Sequence, residues 1–125
     1  MSLLKRLFGA SSSALKPADV QSRLTGPVPP MVVDLRTPEE YAASHIPGSV
    51  VLPISQLSQW LRTLPRDREI ICVCSFGHNS DSVAKLLDGA GFKGINMSEG
   101  MVGWHRADLP VITKGSTHEQ PAKTH

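Results

Sequence analysis

Short apolar runs alternate with short amphipathic stretches along this chain. Met31-Val32-Val33-Asp34-Leu35, Val50-Val51-Leu52, Glu69 to Cys74 and Ile95-Asn96-Met97 have the length and apolar density of strands. Helix-like patterns lie between them. Val20 and Leu24 share a face behind Pro17, a residue that a first helical turn tolerates. Thr37-Pro38-Glu39-Glu40 joins a cap, a proline at the first helical position and a glutamate that completes a capping box. Pro47-Gly48 must end that helix soon afterwards. Ser55 is the expected cap of a helix whose inner face carries Leu57, Trp60, Leu61 and Leu64. Ser80 to Ala90 puts Val83, Leu86, Leu87 and Ala90 on one stripe, and Gly91 suits a left-handed C-terminal turn. Gly100 to Trp104 starts a final helix, with Trp104 directed into the core. Leu109 to Ile112 is expected to lie back along the surface.

Glu69 to Cys74 is apolar on both faces, which suits a central strand of a parallel sheet. Strands alternating with helices predict an α/β fold: a mainly parallel central sheet flanked by helices on both faces. Ligands of such sheets sit beyond the carboxyl ends of the strands, and Cys74 stands at one. A short loop with Gly77 follows, and then a helix begins. First-turn amides lack intrahelical partners and carry partial positive charge, so a thiol beside them is biased toward thiolate. The same donors hold an anion carried on that sulfur.

The length of 125 residues suits one core. We expect an amphipathic or linker segment at 1–16, one domain at 17–112 and a polar tail without fixed structure at 113–125. A net charge of +2 leaves no nucleic-acid footprint. Two cysteines two residues apart make no disulfide framework and point to a reducing compartment, so we expect the cytoplasm. Leu3, Leu4, Leu7 and Phe8 beside Lys5 and Arg6 leave two alternatives: weak membrane-surface or partner contact through residues 1–10, or mitochondrial targeting. A frayed amphipathic end is the plain reading of that stretch. No apolar run approaches the roughly 20 residues that span a bilayer. The five histidines show no zinc-ligand spacing, so neither a metal nor an organic cofactor is expected, and we expect a monomer.

Three motifs in order resemble the single-domain rhodaneses, a sulfurtransferase family. The first is Asp34-Leu35-Arg36-Thr37-Pro38-Glu39-Glu40-Tyr41 with His45-Ile46-Pro47-Gly48-Ser49. The second is Cys74 to Ser80, similar to the family's active-site loop. The third is Glu99-Gly100-Met101-Val102-Gly103-Trp104, similar to its Gly-rich helix start. Departures are Ser44 before His45 where glycine is usual, Ser49 for a common alanine, Met101 interrupting a usual pair of glycines, and Asn79 where many members carry arginine.

The resemblance implies ping-pong sulfur transfer. Cys74 would attack the outer sulfur of thiosulfate or a persulfide, hold it as a persulfide, and pass it to cyanide, a thiol or a protein. Ser75, Phe76, Gly77, His78, Asn79 and Ser80 are the expected substrate-binding loop, with the polar side chains at its rim and Phe76 shielding the sulfur or receiving a partner. Asp34, Arg36 and His45 are expected to support the fold, because a buried arginine needs a carboxylate partner. Cys72, inside the strand, is expected to pack rather than react. Two other classes stay open. A persulfide carrier would exchange sulfur with a partner protein and turn over small donors slowly. A phosphatase would need an arginine for the phosphate dianion, and the loop from Cys74 to Ser80 has none.

Overall fold

Alternation within the apolar runs decides the layering. The computed structural model describes residues 14–114 and the backbone of 119–121. The elements are β1 (Ala14–Leu15), α1 (Pro17–Leu24), β2 (Met31–Asp34), α2 (Pro38–Ala43), β3 (Ser44–His45), β4 (Val50–Val51), α3 (Leu57–Trp60), β5 (Glu69–Val73), α4 (His78–Gly89), β6 (Lys93–Met97), α5 (Gly100–Arg106), β7 (Pro110–Thr113) and β8 (Glu119–Pro121). Five strands form a parallel sheet in the order β1-β6-β5-β2-β4. Successive strand residues point to opposite faces. Ile71 and Val73 of β5 therefore join Val20 and Trp104 in one core. Ile70 and Cys72 join Trp60, Val83 and Leu87 in another. Helices α1 and α5 cover the first face, and α4 with the α3 region covers the second. A central strand with both faces buried is apolar throughout, as β5 is.

Local chemistry sets the element ends. Thr37 caps α2: its hydroxyl accepts from the Glu40 N–H at 3.2 Å, and Glu40 Oε1 accepts from the Thr37 N–H at 3.0 Å. Trp104 is fully buried, and its indole N–H donates to the Pro110 carbonyl at 2.8 Å. Truncating a side chain of that size in a core costs roughly 3–5 kcal/mol.

Several expectations are corrected. Ser55 caps nothing: Ile54–Gln56 and Leu61–Thr63 are 3₁₀ turns on either side of the single α-helical turn of α3. The Trp60 indole N–H reaches back to the Pro53 carbonyl at 2.9 Å, which folds the segment on itself. The buried stripe of α4 is Ser80, Val83, Ala84 and Leu87, whereas Leu86 and Ala90 are exposed. Val83 and Leu87 lie on it as expected, but the stripe also runs through Ser80, whose polarity an apolar count passes over. Leu109 to Ile112 is not a surface trail. It contains most of β7, which pairs antiparallel with β3 and β8 in a second sheet and buries Val111. β8 lies in the tail expected to lack fixed structure; backbone pairing to an open strand edge requires no apolar side chains. Ala14 and Leu15, expected within the N-terminal segment, pair with Asn96 and Met97 as an edge strand. The amphipathic stretch over residues 1–10, and Ser11, Ser12 and Ser13 of the expected linker segment, lie outside the described residues. Among the described residues, no helix is long and apolar enough to cross a membrane.

Candidate active site

β5 delivers Cys74 to the carboxyl edge of the sheet, and Gly77 turns the chain into a helix within three residues. Gly77 has φ +92°, a conformation that L side chains resist. That turn starts α4 at His78, two residues earlier than the pattern suggested, so Ser80 lies in its first turn and faces inward. The Gly77 and Ser80 N–H groups donate to Cys74 Sγ at 3.2 and 3.3 Å. The thiol in turn donates to Ser80 Oγ at 3.1 Å. Ser80 Oγ donates to Asn96 Oδ1 at 2.5 Å, and Asn96 Nδ2 donates to the Gly77 carbonyl at 3.2 Å. Cys74 is 7% exposed and Ser80 is fully buried.

The start of α5 grips this loop from behind. The Met101 N–H donates to the Cys74 carbonyl at 2.8 Å, and the Val102 N–H to the Ser75 carbonyl at 3.0 Å. Close approach requires glycine here. Gly100 has φ +60°, and a Cβ on it would run into the Cys74 and Ser75 carbonyls. A Cβ on Gly77 would lie 2.8 Å from the Glu99 nitrogen. Two glycines from distant motifs thus let two backbones touch beneath the sulfur.

Above Cys74 opens a cavity of about 430 Å³. Its walls include Ser75, Phe76, His78 and Asn79 from the loop, with Arg36, Glu40 and Ile54 opposite. Phe76 is 64% exposed and stands at the rim rather than closed over the sulfur. Among the described residues, Arg36 is the one arginine or lysine lining the cavity, and its charge is already matched. Its Nε and Nη2 donate to the two oxygens of buried Asp34 at 2.9 and 2.8 Å, and Nη2 also reaches the Ser44 carbonyl at 2.6 Å. His45 donates from Nδ1 to the Tyr41 carbonyl at 2.7 Å and stacks on the Tyr41 ring, which ties α2 to β3. Burial, and next the neighbouring Cys74 charge, push the Cys72 thiol up to about 12. It points into the core away from the cavity. Among the described residues, no three His, Cys, Asp or Glu side chains cluster where a metal ion could be held.

The fold gathers Cys74 and the loop from Ser75 to Ser80 as one unit. Within it Gly77 and Ser80 serve the sulfur from inside, whereas Phe76, His78 and Asn79 face the cavity. Ser80 was expected at the rim and lies beneath the sulfur instead. Asp34, Arg36 and His45 sit beside the site as braces. Asn96 was not singled out from sequence, and a polar residue between Ile95 and Met97 was its only signal. Glu40 and Ile54, which complete the far wall, gave none.

A family model, the rhodanese-like domain, matches residues 16–107. A thiosulfate sulfurtransferase GlpE from Pseudomonas fluorescens is 34% identical over 83 residues, which is 66% of this chain and 76% of that protein. A putative sulfurtransferase YtwF from Bacillus subtilis is 34% identical over 79 residues, 63% of this chain and 77% of that protein. Among solved structures, a rhodanese-related protein from Thermoplasma volcanium superposes with a TM-score of 0.74 at 25% identity, covering 80% of this chain and 97% of that one.

Proposed function

Because the chain belongs to the rhodanese-like domain family, with relatives named as sulfurtransferases, we propose that it moves sulfane sulfur through a Cys74 persulfide. The observation that carries this is the placement of Sγ: two backbone amides at 3.2 and 3.3 Å behind it and a cavity of about 430 Å³ in front. In the first half-reaction the Cys74 thiolate attacks the outer sulfur of the donor. A new S–S bond forms at Sγ, the donor's own bond to that sulfur breaks, and the leaving group takes the electron pair. In the second, a nucleophilic acceptor attacks the outer sulfur, and Sγ leaves as thiolate. Both the thiolate and the persulfide are anionic, so the amide donors favour each. Gly77 at the N-cap of α4 and Ser80 in its first turn supply these amides, which have no partner within the helix.

The name of the Pseudomonas relative suggests thiosulfate as donor. A persulfide donor is the second reading, and the matched charge of Arg36 favours it: among the described residues, no unpaired arginine or lysine lines the cavity to attract a dianion. In that case the protein works as a persulfide carrier for a thiol or a partner protein. Phosphoryl transfer has no support here, since no guanidinium stands in the loop. A reducing compartment such as the cytoplasm suits a free nucleophilic thiol.

The test is intact mass after exposure to thiosulfate and, separately, to glutathione persulfide. The protein should gain one sulfur atom, mapped to Cys74 and removed by cyanide or dithiothreitol. Cys74→Ser should abolish the gain, and Cys72→Ser should keep it. Sulfur retained by Cys74→Ser would sink the assignment.

A further inference from the structure

Ser80 has a single proton, and two neighbours compete for it. Asn96 Oδ1 lies 2.5 Å from its oxygen and Cys74 Sγ lies 3.1 Å away. All three residues are buried, so no solvent relieves the competition. Asn96 has one usable orientation. Turning its amide over would set its carbonyl oxygen against the Gly77 carbonyl, which now accepts from Nδ2 at 3.2 Å. With the thiol protonated, every donor runs one way: S–H to Ser80, O–H to Asn96, N–H to Gly77. Loss of the thiol proton removes the first donor and leaves the Ser80 hydroxyl contested between the anionic sulfur and Asn96.

Resting on the reading of Cys74 as the sulfur-bearing nucleophile, we propose that Asn96 is a positioning residue for sulfur transfer that acts through Ser80. It draws the hydroxyl proton away from Cys74 Sγ and thereby sets how firmly the sulfur keeps its own proton. The arrangement bears on both half-reactions. A sulfur that ionises less readily at rest is a scarcer nucleophile, and it is also a poorer leaving group when the acceptor takes the outer sulfur.

The test is the pH profile of Cys74 alkylation by iodoacetamide, mapped by peptide, in four proteins: wild type, Asn96→Ala, Ser80→Ala and the double variant. Asn96→Ala frees the Ser80 hydroxyl for the thiolate. Its alkylation midpoint should fall by about one pH unit, the size of one hydrogen bond to a charged acceptor. In the Ser80→Ala background the same substitution should leave the midpoint where it is, because the intermediary is gone. Asn96→Leu, closer in shape to asparagine, should repeat the result and serves if Asn96→Ala does not fold. An unchanged midpoint, an upward shift, or a shift that persists without the Ser80 hydroxyl overturns the proposal. Alkylation needs no sulfur donor, so this outcome and the mass measurement can fail independently.

Discussion

Gly100→Ala tests whether the start of α5 holds the active-site loop in place. The new methyl group would be forced into φ +60°, which costs an L residue roughly 1–2 kcal/mol. It would also push against the Cys74 and Ser75 carbonyls. Relief of that contact lengthens or breaks the bonds from the Met101 and Val102 amides, each worth roughly 0.5–1.5 kcal/mol. The sum is about 2–5 kcal/mol. For a domain of this size that lowers Tm by roughly 8–20 °C. Gly89→Ala is the matched control. It lies in α4 with open space where its methyl would go, and alanine there should stabilise by roughly 0.4–1 kcal/mol. Urea unfolding and sulfur loading from thiosulfate or glutathione persulfide should be measured on both variants. Gly100→Ala should lose stability and load at least about tenfold more slowly, because a displaced loop no longer presents Sγ in reacting geometry. Gly89→Ala should load as wild type does. Equal stability and equal loading in the two variants would refute the idea that contact beneath the sulfur positions it.

Three further outcomes are expected. Native protein treated with iodoacetamide at neutral pH should be labelled at Cys74 only, because the Cys72 thiol is held at about 12; both should label once urea unfolds the chain. Asn79→Arg places a guanidinium at the cavity wall and should raise kcat/KM for thiosulfate about tenfold, with little change for glutathione persulfide; equal gains for both donors would remove the electrostatic explanation. His105 is held below its ordinary value, first by partial burial and then by the Arg36 charge. The unfolded chain therefore binds more protons than the fold between that lowered value and 6.5, so stability is full above this window and falls with pH through it. His105→Gln should flatten the slope of urea midpoints measured from about pH 7.5 down to about pH 5.

Much of the fold and half of the site were legible in the order of residues. Apolar runs and the doubly buried character of β5 define a parallel α/β sheet, because hydrophobic period is a local property of the chain. Capping at Thr37 and the turn at Gly77 are equally local, and the strand-end position of Cys74 follows from them. Pairing of Ala14–Leu15 with β6, and of β7 with β3 and β8, depends on backbone groups of distant segments, and two- or three-residue strands carry no periodic signal. Ser80 illustrates the limit most clearly. Its polarity hid the inward face of α4, since only the fold shows that Cys74 and Asn96 wait there to satisfy it. The Gly77 and Gly100 backbones likewise meet only in three dimensions. Local chemistry places Cys74 at a strand end before a helix, whereas Ser80 and Asn96 were brought to its sulfur by packing between β5, α4 and β6.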